Sequence, residues 1–227
     1  MTNARILAMS IGCLAISATL ISAQDLSRYR EFRLGMSLVA VAQQAGITPD
    51  ARMLYQRPAL IQELMWLPPR IPGSPPQEDS VRKVVFGCYN GQLFRIVVTY
   101  AQDRTEGLTA EDLVEAVSAK YGLATLPATQ IMPSVFGAAK DSDKILAYWE
   151  DSQFSLTLFR SSYLSTFGLV VLSKRLDALA RVAIVEATLL DEQDAPQREI
   201  ERQQNQTEES RVKQQTARRV NRAAFRP

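Results

Sequence analysis

An Asn-Gly pair at positions 90 and 91 constrains the fold of this chain more than any other feature of the sequence. The pair separates two runs rich in β-branched and aromatic residues, Val81–Tyr89 and Gln92–Tyr100. Asn-Gly is typical of the type I′ turn, whose two central residues have positive φ and whose twist matches that of paired strands. The sequence therefore predicts a long antiparallel hairpin in the middle of the chain.

The two-residue loop also predicts the register of this hairpin, because residues at equal distances from the turn lie opposite each other. The predicted pairs are Tyr89 with Gln92, Cys88 with Leu93, Gly87 with Phe94, Phe86 with Arg95, Val85 with Ile96 and Val84 with Val97. Because Gly87 has no side chain, we expect the ring of Phe94 to lie against it.

Two helices are marked by residues typical of helix ends. Ser37 precedes a segment that ends at Gly46, and Thr109 precedes a segment that ends at Gly122. Serine and threonine are favoured N-caps, and glycine readily adopts the left-handed conformation that closes a helix. Asp112 follows Thr109 by three residues and predicts a capping box at the start of the second helix.

Composition divides the rest of the folded part into strands and loops. Runs of β-forming residues predict strands at 60–67, 144–150, 154–160 and 168–173, with a helix as the alternative for the first of these. Proline, glycine and charged residues predict loops at 68–77, 101–107 and 124–139. Thr48-Pro49-Asp50 has the cap-then-proline pattern of a helix start and predicts a further short helix over 50–56.

The order of these elements predicts the fold class. Each of the two capped helices is followed by three strands, and the first strand of each set carries a tryptophan, Trp66 or Trp149. We therefore expect an α+β fold with an antiparallel sheet from two α-βββ units, over 32–105 and 106–175, and helices on one face. A long C-terminal helix is predicted from residue 174, where apolar residues recur at helical spacing.

The N-terminal segment predicts export. Arg5 is the only charged residue before Asp25, and residues 6–21 are mostly apolar and are soon followed by the small residue Ala23. This order is typical of a secretory signal peptide that is cleaved after Ala23. A retained membrane anchor is the alternative, although the run is shorter and more polar than a spanning helix requires. We expect a signal peptide over 1–23 and a protein that is periplasmic or secreted.

Two parts follow the signal peptide: an α+β body over 24–190 and a polar tail over 191–227. The tail has few bulky apolar residues and is expected to be either helical or disordered. Its last 17 residues contain six basic residues and no acidic one. The basic residues are Arg211, Lys213, Arg218, Arg219, Arg222 and Arg226. We expect this end to contact an anionic membrane or envelope surface, or to remain simply solvated.

The chain contains no histidine, and its only cysteines are Cys13 and Cys88. It therefore cannot build a Ser-His-Asp triad, a Cys-His dyad or a His-bearing zinc site from its own residues. The best carboxylate cluster, around Asp103, Glu106 and Asp112, lies where the first turn of a helix favours acids. We expect no catalytic residue, no metal ion and no cofactor. The formal net charge of +2 argues against nucleic acid as a partner.

Three resemblances bear on fold and function. Segment 32–46 (FRLGMSLVAVAQQAG) resembles the opening of the SmpA/OmlA group of outer-membrane-assembly lipoproteins, in which an apolar-Gly-Met-Ser/Thr signature starts a helix. The doubled helix-plus-sheet plan resembles the β-lactamase inhibitor protein family, which carries two such units. Runs 55–64 (YQRPALIQEL) and 94–107 (FRIVVTYAQDRTEG) are similar to a group of uncharacterised secreted bacterial proteins. The first two resemblances imply an α+β fold and a role in binding another protein.

We therefore expect a non-catalytic protein-protein interaction module, either an assembly adaptor or an inhibitor, that uses its sheet or a proline-rich lip. The residues expected to contact the protein partner are Trp66, Pro68, Pro69, Arg70 and Trp149. Two alternatives stay open. One is a tethering protein that holds the envelope surface through the basic tail, and the other is a carboxylate-based hydrolase.

Overall fold

The computed structural model describes residues 25–68, 79–127, 131–133, 142–161, 166–224 and 226, with 131–133 and 142 described by their backbone. The first half contains β1 (Arg28–Tyr29), β2 (Phe32–Arg33), α1 (Leu38–Ala45), β3 (Arg52–Tyr55), β4 (Ile61–Trp66), β5 (Val81–Tyr89) and β6 (Gln92–Tyr100). The second half contains α2 (Gln102–Thr105), α3 (Ala110–Tyr121), β7 (Ile131–Pro133), β8 (Ser142–Glu150), β9 (Phe154–Arg160), β10 (Phe167–Ser173) and α4 (Lys174–Ala224). The predicted signal peptide lies outside the described residues.

Eight of the described strands form one antiparallel sheet in the order β3-β4-β5-β6-β10-β9-β8-β7. The order contains two four-stranded meanders, β3 to β6 and β7 to β10, which join through β6 and β10. The structure confirms the α+β class with its antiparallel sheet and long C-terminal helix. Each predicted set of three strands gains one short edge strand, β3 or β7.

Helices α1 and α3 and the β1–β2 hairpin pack on one face of the sheet. Their buried side chains join those of the sheet in one continuous core. The sheet contributes Leu64, Phe86, Ile96, Leu156, Leu158 and Leu169, and the helices contribute Leu38, Val41 and Leu113. We call this the helix face of the sheet.

The first turns of α4 pack on the opposite face of the sheet. Leu176 and Ala180 are buried there with Ile61 and Phe94. Ile61 and Leu64 lie three residues apart on β4, so their side chains point to opposite faces, as strand geometry requires. The sheet therefore has an apolar layer on each face, which explains its nearly continuous apolar strand sequences.

The central hairpin confirms the predicted turn and corrects the predicted register. Asn90 and Gly91 have φ values of 48° and 76°, as a type I′ turn requires. The pairs next to the turn are Tyr89 with Gln92 and Cys88 with Leu93, as predicted. Beyond them the register shifts by one residue, and the pairs are Gly87 with Arg95, Phe86 with Ile96, Val85 with Val97 and Val84 with Val98.

A β-bulge at Phe94 is the reason for the shift. The extra residue lets Leu93 stay in the core of the helix face while Phe94 packs under α4. The predicted contact between Gly87 and Phe94 is correct, since a Cβ at Gly87 would lie 3.3 Å from the Phe94 ring. The register predicted from the turn therefore fails at Phe94, where no local signal marks the bulge.

The predicted helix ends are confirmed. The Ser37 hydroxyl accepts a hydrogen bond from the backbone N–H of Ala40, and Gly46 closes α1 with φ 66°. At α3, the Thr109 backbone N–H donates to the Asp112 carboxylate at 2.8 Å, and the Asp112 N–H donates to the Thr109 hydroxyl at 3.2 Å. This is the predicted capping box.

Three local predictions were wrong. Residues 52–55 form strand β3 rather than a helix, because they pair with β4. Residues 102–105 of the predicted charged loop form the single turn α2, and residues 131–133 of another predicted loop pair with β8 as β7. The two strands are stabilised by a neighbouring strand, which local propensity does not detect.

Helix α4 is continuous for 51 residues, so it is about 77 Å long. Pro196 lies inside the helix. Its buried residues all lie in the first 14 positions, the last being Ala187. The predicted tail is thus the helical continuation of the body, through residue 224.

Gly168 offers a direct test of the sheet packing. A Cβ there would overlap the ring of Phe159 and lie 2.8 Å from the Val98 carbonyl oxygen. Gly168→Ala should lower the free energy of unfolding by about 1–3 kcal/mol, because backbone and a packed ring must both move. Chemical denaturation measures the change. Gly87→Ala is the matched control, with nearest contacts of 3.3 Å, and an equal or larger loss in this control would contradict the packing.

Candidate functional site

Trp66 lies at the end of β4, on the helix face, and is half-buried. Its ring packs against Phe32 with centroids 5.7 Å apart, and Phe32 in turn packs against Phe86 at 4.6 Å. Pro68 is also half-buried, while Pro69 and Arg70 lie outside the described residues. The ring of Trp66 therefore serves mainly to hold the β1–β2 hairpin on the sheet.

Trp149 lies in the core, with only 3% of its surface exposed. Its indole Nε1–H donates to the Gly122 carbonyl oxygen at 2.7 Å, which ties the C-terminal end of α3 to strand β8. Both tryptophans belong to the same core on the helix face. The structure does not bring them together on an accessible surface, so the partner-binding prediction needs other side chains.

The opposite face of β4 exposes two apolar side chains that the sequence analysis did not single out. Met65 is 57% exposed and Leu67 is 61% exposed. Both alternate with Leu64 and Trp66 and so point away from the helix face. Val85, which is half-buried, pairs with Met65 on the neighbouring strand. We call Met65, Leu67 and Val85 the β4 patch.

The β4 patch is one end of a row of side chains that crosses six strands on this face. The row runs through Met65, Val85, Val97, Val170, Thr157 and Tyr148, each paired with the next. Val97 and Val170 are buried, and exposure is greatest at Met65. Beside the row, Arg95 Nη2 forms an ion pair with Glu63 Oε1 at 3.2 Å. The patch therefore has an apolar centre with a charged pair at its border.

The β1–β2 hairpin is linked to the start of β5 and the end of β6 by an ion pair and a cluster of tyrosines. The tyrosines are Tyr29, Tyr100 and Tyr121. Arg30 donates two hydrogen bonds to the Asp79 carboxylate, at 2.9 and 2.6 Å, and lowers the pKa of Asp79. The Tyr121 hydroxyl donates to the Arg28 carbonyl oxygen at 3.1 Å. Burial raises the pKa of Tyr29 and Tyr100, and raises that of Tyr121 to about 12. The cluster is well suited to stabilising the fold.

The predicted carboxylate cluster serves the ends of two helices. Asp112 forms the capping box, and the hydrogen bonds it accepts from Thr109 lower its pKa. Asp103 lies in the first turn of α2 and is 3.9 Å from Arg104, and Glu106 is the C-cap residue that follows α2. Asp103 and Asp112 therefore lie in first helical turns, where the helix dipole favours acidic residues. They add no support to the hydrolase alternative, which stays a prediction.

Cys88 is completely buried in the core of the helix face. Burial raises the pKa of its thiol to about 12. A thiol must ionise to act as a nucleophile, so at neutral pH this cysteine behaves as a small apolar side chain. This placement agrees with the interpretation of Cys88 as a core residue.

The basic residues lie on the last turns of α4, where all of them are exposed. Arg211, Arg218 and Arg222 are spaced by seven and four residues, which places them on one side of the helix. Arg211 forms an ion pair with Glu208 at 2.8 Å. Arg226 is exposed just beyond the helix end. Three of the six basic residues of the predicted basic end therefore share one side of the helix.

Within the described residues, no group of three or more acidic or cysteine side chains has a metal-binding arrangement. Among the described helices, none combines the length and apolar character needed to cross a membrane.

Comparisons with models of protein families, with curated proteins and with solved structures each found no match.

The buried thiol and tyrosines predict how stability depends on pH. Because folding raises their pKa values above those of the unfolded chain, their contribution is complete below pH about 9 and is lost as the pH rises. The free energy of unfolding should fall between pH about 9 and 12, where first the thiol and then the tyrosines ionise in the unfolded chain, and Tyr100→Phe should lessen that fall. Urea titrations at each pH measure it. A flat profile, or an unchanged slope in the variant, would contradict the burial of these groups.

Proposed function

We propose that this chain is an exported, non-catalytic protein-protein interaction module, and that the β4 patch contacts its protein partner. The observation that carries the proposal is the exposure of Met65 and Leu67, side by side on the face of the sheet that points away from the helix face. Adjacent apolar side chains that remain exposed in a folded body often mark a binding surface. The proposed contact residues are therefore those of the β4 patch, which a partner can reach, and no longer Trp66 and Trp149.

The chemistry of the patch favours a protein partner. Methionine adapts its shape to an opposing surface, and Leu67 and Val85 add aliphatic area around it. The Glu63–Arg95 ion pair lies at the border, as charged groups do in protein interfaces. The side chains offer no convergent set of polar groups of the kind that fixes a small ligand. An adaptor or an inhibitor of another exported protein fits this surface best.

Export is supported by the sequence of residues 1–23, with its single basic residue, apolar run and small residue before a polar stretch. The absence of histidine supports a binding role over acid-base catalysis. The partner is then a protein of the periplasm or of the secreted space.

Charge placed in the β4 patch should abolish partner binding. Met65→Glu puts a carboxylate where an apolar contact is expected, and burying an unpaired charge costs more than most single contacts contribute. The matched control is Met53→Glu, because Met53 is similarly exposed (48%) but pairs with Gln62 of the helix face. Wild-type protein and the control should retain the same envelope protein in a cross-linked co-purification, and Met65→Glu should lose it.

The same experiment with residues 191–227 removed separates the body from the tail. Retention of the partner by the shortened chain supports the β4 patch as the binding surface. If the shortened chain retains nothing, or if Met65→Glu binds as well as the wild-type protein, the proposal fails.

A second candidate function is tethering to an anionic envelope surface. The observation that favours it is the alignment of Arg211, Arg218 and Arg222 on one side of the exposed end of α4. A basic residue near an anionic membrane contributes about 1 kcal/mol, and salt weakens the attraction. The contact would be electrostatic, since the apolar residues of this end do not form a single stripe.

Vesicle binding tests the tether. Arg218→Gln with Arg222→Gln should weaken binding to anionic vesicles roughly thirtyfold, from ~1 kcal/mol for each residue. The control is Arg198→Gln with Arg202→Gln, which removes two arginines at the same spacing from a part of the helix where both pair with acids. Equal loss in both variants, or equal binding to neutral vesicles, would contradict a specific role for the basic end.

A further inference from the structure

The outer part of α4 has no partner within the described body. The last ion pair between the helix and the body joins Arg57 to Asp194. Every described side chain beyond Asp194 is exposed. About 30 residues of helix, ~45 Å in length, therefore project into solvent. Helices in proteins gain most of their stability from packing against another element, and the described body offers no such element to this part of α4.

One stripe of this helix carries almost no charge. Its members follow one another at alternating steps of three and four residues, the spacing of a helix-helix seam. From the body outwards they are Leu179, Val182, Glu186, Leu189, Gln193, Pro196, Ile200, Gln203, Thr207, Ser210, Gln214, Ala217, Asn221 and Ala224. All of them are exposed, and after Glu186 none is charged. We call these residues the uncharged stripe.

The pattern is selective, because charged residues are frequent everywhere else on the outer helix. Residues 191–224 include 14 charged side chains, and none of them falls on the uncharged stripe. The stripe also carries Leu189 and Ile200, which are 53% and 49% exposed. Solvation alone gives no reason to keep charge off one side of an isolated helix, whereas a seam with a second helix does.

The charges that flank the stripe indicate what the second helix is. Residues 191–209 contain seven acidic and two basic residues, for a net charge of −5. Residues 211–224 contain five basic residues and no acidic one, for a net charge of +5. In an antiparallel copy of the same helix, the acidic segment of each chain lies against the basic segment of the other. In a parallel copy, segments of the same charge lie against each other, and their repulsion is unfavourable.

We propose that a second copy of this chain pairs with α4 in antiparallel orientation over residues 191–224, along the uncharged stripe. The apolar contacts come from Ile200 and the alanines, and the glutamines and threonine of the stripe form hydrogen bonds across the seam. The two bodies then lie at opposite ends of the helix pair, with each β4 patch outside the seam. The pairing does not rest on the proposed binding function.

Sedimentation equilibrium of the full chain tests the pairing with two matched variants. Thr207→Asp with Gln214→Glu adds two charges to the uncharged stripe. Thr216→Asp with Gln215→Glu adds the same two charges to the outward side of the helix. The wild-type chain and the outward variant should be dimers, and the stripe variant should have a dissociation constant at least about tenfold higher, which is ~1.4 kcal/mol. Circular dichroism checks that both variants keep the same helix content.

Salt distinguishes the two orientations without any label. Salt screens the attraction of an antiparallel pair, so its dissociation constant should rise when sodium chloride is increased from about 0.05 to 0.5 M. A parallel pair would bind more tightly over that range, because its repulsion is screened. A fall in the dissociation constant with salt therefore overturns the antiparallel assignment.

Three further results would overturn the pairing. If the wild-type chain stays monomeric at all concentrations, a second copy of the chain does not pair with the uncharged stripe. Equal dimerisation of the two variants removes the uncharged stripe from the interface. A monomeric chain whose tail binds anionic vesicles assigns this helix to the surface tether instead.

Discussion

The hydrogen-bonded pairing of β6 with β10 is the contact on which the rest of the structure depends. It joins the two meanders into one sheet, and most of its residues are apolar on both faces. Ile96, Val98 and Leu169 point into the core of the helix face, while Val97 and Val170 are buried on the other. Helices on one side and α4 on the other then cover a continuous sheet.

Local signals in the sequence predicted the parts of the fold that local chemistry determines. The Asn90-Gly91 turn, the Ser37 and Thr109 caps and the Gly46 helix end all act within a few residues, and all were predicted correctly. The bulge at Phe94 and the strands β3 and β7 depend on partners distant in sequence, so no local rule could supply them. The same holds for the length of α4, which passes through Pro196.

The candidate site was harder to predict for a related physical reason. Trp66 was chosen by residue type, yet its ring fills the core, and Met65 beside it is the side chain that faces solvent. On a strand that is apolar at both faces, alternation alone does not tell which face is covered. That choice is made by α1, α3 and α4, which approach from distant parts of the chain. The basic end of α4 was predictable, because charge density is a property of sequence alone.

The central claim is that the exposed face of β4 binds a protein partner. The most direct measurement is site-specific photo-crosslinking in cells, with a photoreactive amino acid at position 65 or, for comparison, at position 53. An adduct of one defined mass at position 65, with none at position 53, is the predicted result. No adduct at position 65, or the same adducts at both positions, would contradict the claim.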